Sequence, residues 1–200
     1  HMASLRPYRR DDASALARIC LKTADAGSDA SGMIEDDDLW AELFVLPYLE
    51  RHPDLAFVVV SAEDRPIGYI VGTDDSVEFA HWFGTVWWPR HTSRWPMPAS
   101  IESRQDALIA YGYSRADSAA SVPEGYPAHL HIDLLPEAQG AGWGRVLITE
   151  LAAALRTRQC AGLHATASTE NVGALAFYPR LGFGSLSSDG GSETFGLSLA

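Results

Sequence analysis

Three glycines at alternate positions, Gly140, Gly142 and Gly144, constrain this chain more than any other feature. They follow His129–Leu135, where polar and apolar side chains alternate, and they open Gly144–Thr157, where apolar residues recur at helical spacing. The first run reads as a strand, the second as a helix, and the joint as a tight turn. Such a turn can aim successive backbone N–H groups into a concavity, and the helix behind it adds its positive end. Glycine lets a ligand approach the backbone with no Cβ in the way. Together these make a diphosphate cradle.

Two other phosphate-binding turns do not fit. A dinucleotide-binding Rossmann turn needs Gly-x-Gly-x-x-Gly early in a repeated βαβ array. Here the third glycine comes one place too early, and too few strand–helix units follow. A Walker loop is excluded because no lysine follows the glycines.

A chain of 200 residues suits one domain. The formal net charge of −11 argues against a nucleic-acid partner and favours a cationic or amine-bearing one. The only cysteines, Cys20 and Cys160, lie far apart, which fits neither a disulfide framework nor a zinc site and suits a reducing cytosol. No stretch is long and apolar enough to span a bilayer, and no signal peptide opens the chain. The expectation is a cytoplasmic protein with no membrane partner. Residues 1–4 read as an expression-tag scar, and 5–200 as the domain.

Pattern gives the remaining elements. Leu5–Tyr8 reads as an edge strand, and Asp11 or Asp12 caps a helix through Leu16, Ile19 and Cys20. After a polar loop from Thr23 to Asp38, a helix spans Leu39–Arg51, to be kinked or ended by Pro47. Leu55–Ser61 and Ile67–Gly72 form a hairpin. Residues 74–127, rich in Trp, Pro and Ser, read as an insertion with helices near Val77–Trp88 and Ser103–Tyr113. Beyond it come strand Leu163–Ser168, helix Val172–Leu181, and strands Gly184–Ser187 and Thr194–Leu199.

Two motifs now carry a family resemblance. Gln139-x-x-Gly142-x-Gly144 resembles the (Arg/Gln)-x-x-Gly-x-(Gly/Ala) coenzyme A signature of GNAT acetyltransferases. Asn171-Val172-Gly173-Ala174-Leu175-Ala176-Phe177-Tyr178-Pro179-Arg180-Leu181-Gly182-Phe183 is similar to that family's Asn-x-x-Ala-x-x-Phe-Tyr-x-(Lys/Arg)-Leu-Gly-Phe. More narrowly, residues 19–30 and 126–133 resemble bacterial relatives of the acetyltransferase-like carboxyl-terminal domain of animal O-GlcNAcases. In the animal proteins the cofactor loop is eroded, whereas this chain keeps it.

The resemblance implies a mixed α/β (α+β) GNAT fold, with a central, splayed, mostly antiparallel sheet between helices and a helical insertion before the fourth strand. It implies direct acetyl transfer from acetyl-CoA to an amine, either a small molecule or a lysine-containing acceptor. Leu134 and Leu135 would pair with the pantetheine arm through their main chain. Gln139, Gly140, Ala141, Gly142, Trp143, Gly144 and Arg145 would surround the diphosphate. Asn171, Ala174, Phe177 and Arg180 would complete the cofactor site, and Tyr178 would be the general acid. Asn171 also suits a helix cap.

Other residues stay open between two readings. His129, His131 and Asp133 share one strand face, either as the catalytic base or as a structural hydrogen-bond network. Asp25 and Asp29 either hold a cationic acceptor or form a solvated turn. Trp82, with Trp87, Trp88 and Trp95, walls the acceptor cleft, covers a sheet edge or contacts a second copy in a homodimer. No metal site is expected. The alternative to an enzyme is a non-catalytic acyl-CoA-binding or protein-interaction module.

Overall fold

A computed structural model describes residues 2–200. Seven strands form one sheet in the order β1-β2-β3-β4-β5-β7-β6. Strands β1 (Ser4–Pro7), β2 (Phe57–Val60), β3 (Pro66–Thr73) and β4 (Ala128–Leu134) pair in that order as one antiparallel group. Strands β5 (Gly162–Ser168), β6 (Gly184–Ser188) and β7 (Ser192–Ser198) form a second antiparallel group. The groups meet at the parallel pair β4–β5, which holds only at Ala128↔Leu163 and His129↔His164. Beyond His129 the two strands part, so the sheet is splayed, as the resemblance implied.

Alternation along β4 sorts side chains between two cores. Leu130, Ile132 and Leu134 join the cluster under helix α6 (Trp143–Thr157) and helix α7 (Val172–Arg180). The α6 stripe of Leu147, Ile148, Leu151, Ala152 and Leu155 is buried there, as its helical spacing requires. His129, His131 and Asp133 point the other way. They face helices α1 (Ala13–Thr23), α2 (Asp38–Phe44), α3 (Leu46–Arg51), α4 (Ser76–Trp82) and α5 (Arg104–Ser114), whose apolar residues form the second cluster.

Three local expectations change. The helix expected over residues 39–51 is two helices that break at Val45 (φ −135°, ψ −51°), before Pro47 rather than at it. Pro47 sits in the first turn of α3, where its missing N–H leaves no bond unmade. The helix expected over 77–88 ends at Trp82 and continues as a wider π turn to Trp87. Finally, Trp82, Trp87, Trp88 and Trp95 are all buried in the cluster with Tyr48 and Phe79, so these indoles neither wall a cleft nor face a second copy. Residues 74–127 therefore deepen the core on that face, and Ser4 pairs with Val60 in the sheet.

Candidate active site

The turn after β4 is shaped by two residues of positive φ. Gly140 (φ +79°) and Gly142 (φ +85°) have nothing within 4 Å of the place where a Cβ would stand. Gly142 is the N-cap of α6, and the first N–H to find a carbonyl is that of Val146, on Gly142 at 3.2 Å. The preceding N–H groups, from Gly140 through Arg145, have no acceptor among the described residues. Unmade donors at a helix start are an anion site in waiting.

The surrounding side chains hold this turn in place. Gln139 donates through Nε2 to Leu134 O at 3.0 Å, and Leu135 N–H donates to Ile67 O at 2.9 Å. Gly144 permits a close approach of α7, since a Cβ there would lie 2.6 Å from the Phe177 ring. Trp143, Ala174 and Phe177 pack against the α6–α7 core. Arg145 donates to Arg180 O at 3.3 Å, which ties the start of α6 to the end of α7. Asn171 Oδ1 accepts from Ala174 N–H at 3.0 Å, a helix cap as the sequence allowed.

Tyr178 is buried among Phe177, Phe183 and Phe195. Burial, then the charge of Asp133, raises its pKa. It therefore keeps its proton at neutral pH, and no described residue hydrogen-bonds its hydroxyl. Asp133 accepts a 2.5 Å hydrogen bond from Tyr69 Oη, and burial pushes its carboxyl up to about 6.

The two histidines of β4 belong to a network whose protons can be placed. Arg115 lies 3.4 Å from His129 Nε2 and is only a donor, so that nitrogen is an acceptor. His129 Nδ1–H then donates to Ser76 Oγ at 2.6 Å. Tyr48 Oη donates to His129 Nε2 at 2.6 Å and accepts from Arg115 at 3.2 Å. Its proton thus spent, Tyr48 accepts from His131 Nε2–H at 3.1 Å, and His131 Nδ1 keeps a free lone pair. Burial, then the charge of Arg115, holds both imidazoles neutral, with His131 lowered to about 3.

A cavity of about 350 Å³ opens where β4 and β5 part, lined by His129, His131, His164, Arg115, Tyr111 and Thr194 among others. His164 Nδ1 donates to Tyr126 O at 2.8 Å, which leaves its Nε2 as an acceptor. None of Asp25, Asp29, Trp82, Asp133 and Tyr178 lines this cavity. Asp25 pairs with Arg104 at 3.2 Å, and Asp29 with Lys22 at 3.2 Å and with Ser31. Both carboxylates thus have their own cations. Among the described residues no group of three or more His, Cys, Asp or Glu is placed to hold a metal ion, and no helix is long and apolar enough to cross a membrane.

The sequence did not reveal Ser76, Arg115 or His164 as cavity residues, nor Tyr48 as the hydroxyl that links Arg115 to the two histidines. His164 had a signal, since alternation on β5 puts it on one face with Thr166. The others come from helices and a turn far away in the chain, where periodicity says only which face is buried.

Comparison with known proteins agrees with this geometry. A model of the acetyltransferase (GNAT) family matches residues 21–183. The crystal structure of SsHAT superposes with a TM-score of 0.94 at 37% identity, covering 100% of both chains. Polyamine N-acetyltransferase of Drosophila melanogaster, which forms N-acetylagmatine, gives a TM-score of 0.62 at 15% identity over 98% of this chain and 100% of that one. PaiA N-acetyltransferase of Thermoplasma acidophilum, solved with coenzyme A, gives 0.62 at 13% identity over 99% of each. At such low identity the last two speak for the fold alone.

Proposed function

The chain belongs to the acetyltransferase (GNAT) family, and on that premise we propose that it acetylates an amine held in the cavity over the β4–β5 parting, with Tyr178 as general acid. It is an N-acetyltransferase, and its cofactor is acetyl-CoA. The observation that carries the reading is the run of N–H groups from Gly140 to Arg145 without acceptors, beside two glycines that leave open space. These groups fit a diphosphate. Leu134 and Leu135, on the strand that has left β5, would lie along the pantetheine arm. When bound, acetyl-CoA supplies an activated acyl group and a thiolate leaving group.

The chain's own residues then divide the proton work. An amine attacks only when neutral, so a base has to take its proton. Asp133, pushed up to about 6, holds a proton far better than His131, lowered to about 3. Asp133 is therefore the proton acceptor, reached from the cavity through water because it does not itself line the wall, and neutral His131 and His129 are hydrogen-bonding groups of the acceptor wall. Tyr178 keeps its proton until the leaving thiolate takes it. The acceptor is a small amine, which the cavity volume suits. The sequence of residues 19–30 carries the resemblance to bacterial relatives of the O-GlcNAcase acetyltransferase-like domain.

The experiment is coenzyme A release from acetyl-CoA across an amine panel, with wild type and Tyr178→Phe side by side. Amine-dependent release that the substitution slows supports the reading. Binding of acetyl-CoA with no amine-dependent release overturns it in favour of a non-catalytic module.

A further inference from the structure

Arg115, from the helical turn after α5, is buried at 8% exposure in the wall of the cavity. Every hydrogen-bond partner it finds is neutral: Ser118 Oγ at 2.6 Å, Tyr48 Oη at 3.2 Å and His129 Nε2 at 3.4 Å. The rings of Phe79, Phe83 and Tyr111 pack around its guanidinium, at 5.7, 6.0 and 5.9 Å from their centroids. No carboxylate among the described residues forms an ion pair with it. Every other arginine that forms an ion pair has a carboxylate partner, at the surface as Arg104 with Asp25 or largely buried as Arg6 with Asp12.

A buried charge without a counter-charge is costly, by several kcal/mol per ion. Aromatic faces recover a part of that cost, but a hydrocarbon chain of the same length would pack there without it. The wall offers no substitute. Its one carboxylate, Asp189, is tied into the β6–β7 turn by Gly191 N–H at 3.2 Å, Ser192 N–H at 2.9 Å and Ser192 Oγ at 3.0 Å. Arg115 is also the only arginine or lysine lining the cavity, so the site balances one negative charge rather than two.

We infer that the acceptor is an amine that also carries a carboxylate, and that Arg115 binds this acid group while the amine faces the β4–β5 parting. The inference rests on the acetyl-transfer reading above and narrows its substrate class. A planar guanidinium matches a carboxylate through paired N–H donors, and one buried cation suits a singly charged acid better than a phosphate dianion. The amine end meets neutral imidazoles rather than cations, so its own proton can leave.

The test compares amino acids with their carboxamides, glycine with glycinamide and lysine with lysinamide, as acceptors in the coenzyme A release assay. The acid should exceed its amide at least tenfold in kcat/KM, mainly through KM. Arg115→Gln should bring that ratio close to one, and Arg115→Lys should restore part of it. A purely structural arginine would change both members of each pair alike. Because Arg115→Gln can fail to fold, the wild-type protein with coenzyme A is also titrated calorimetrically with N-acetylglycine and N-acetylglycinamide. Tighter binding of the acid supports the inference even where no amine is turned over, a result that would refute only the transfer reading. Amides acetylated as well as acids, or products bound equally or not at all, overturn the inference. Phosphoethanolamine preferred over every amino acid also overturns it.

Discussion

Replacing Gly142 by alanine separates the cradle's two demands on this position, backbone conformation and open space. At φ +85° an alanine is strained by roughly 1–2 kcal/mol relative to glycine. For a domain of this size each kcal/mol lowers Tm by about 2–4 °C, so a fall of about 2–8 °C is expected. Gly125 provides the control, because it shares φ +85° and also has nothing within 4 Å of a Cβ. Gly125→Ala should lose the same stability. Only Gly142→Ala should also lose coenzyme A affinity, because its methyl enters the space beside the unpartnered N–H groups. A tenfold loss, about 1.4 kcal/mol, is the least expected. The assay is calorimetric titration with coenzyme A at a temperature where both variants stay folded, beside thermal melts of both. If both melt alike and both bind like wild type, the cofactor does not sit on this turn, and the argument from the N–H run fails.

Three further outcomes are expected. Tyr178→Phe should lower turnover by about 10²–10⁴-fold while coenzyme A affinity stays within about twofold, measured by steady-state kinetics and titration; an unchanged rate would give the proton to another donor. Because Asp133 must be ionised to act as a base, kcat/KM for the best acceptor should rise as pH climbs through about 6, and Asp133→Asn should abolish that limb. A limb that survives the substitution would shift the role to His164, whose Nε2 is free toward the cavity. Arg6 makes a two-pronged contact with Asp12, at 2.8 and 2.9 Å, which holds the Asp12 carboxyl below its usual range. The stability this contact gives is present above the unfolded carboxylate pKa of about 3.9 and lost as pH falls through the lower folded value. Arg6→Met should therefore cost about 3 kcal/mol in urea unfolding near pH 7, and less at pH 2.

What the sequence by itself determined was local. The glycines at 140, 142 and 144 marked a special turn, because a residue without Cβ takes positive φ without strain at 140 and 142 and lets Phe177 close in at 144, and that constraint is written in one residue at a time. Alternation along 129–135 placed His129, His131 and Asp133 on one face, because a strand's side chains turn over at every step. Asn171 read as a helix cap for a similarly local reason. Tertiary structure decided everything that depends on segments meeting. The splay after His129 follows from where β5 lies against β4, and nothing in either strand states that register. Trp82 proved to be core because α4 folds inward, although an indole in a Pro- and Ser-rich stretch reads equally well as a surface. Asp25 and Asp29 looked free for a cationic ligand until Arg104 and Lys22 came to rest beside them. Arg115 carries no motif at all. Its importance lies in what fails to surround it, and a missing counter-charge can be seen only once every other side chain has a place.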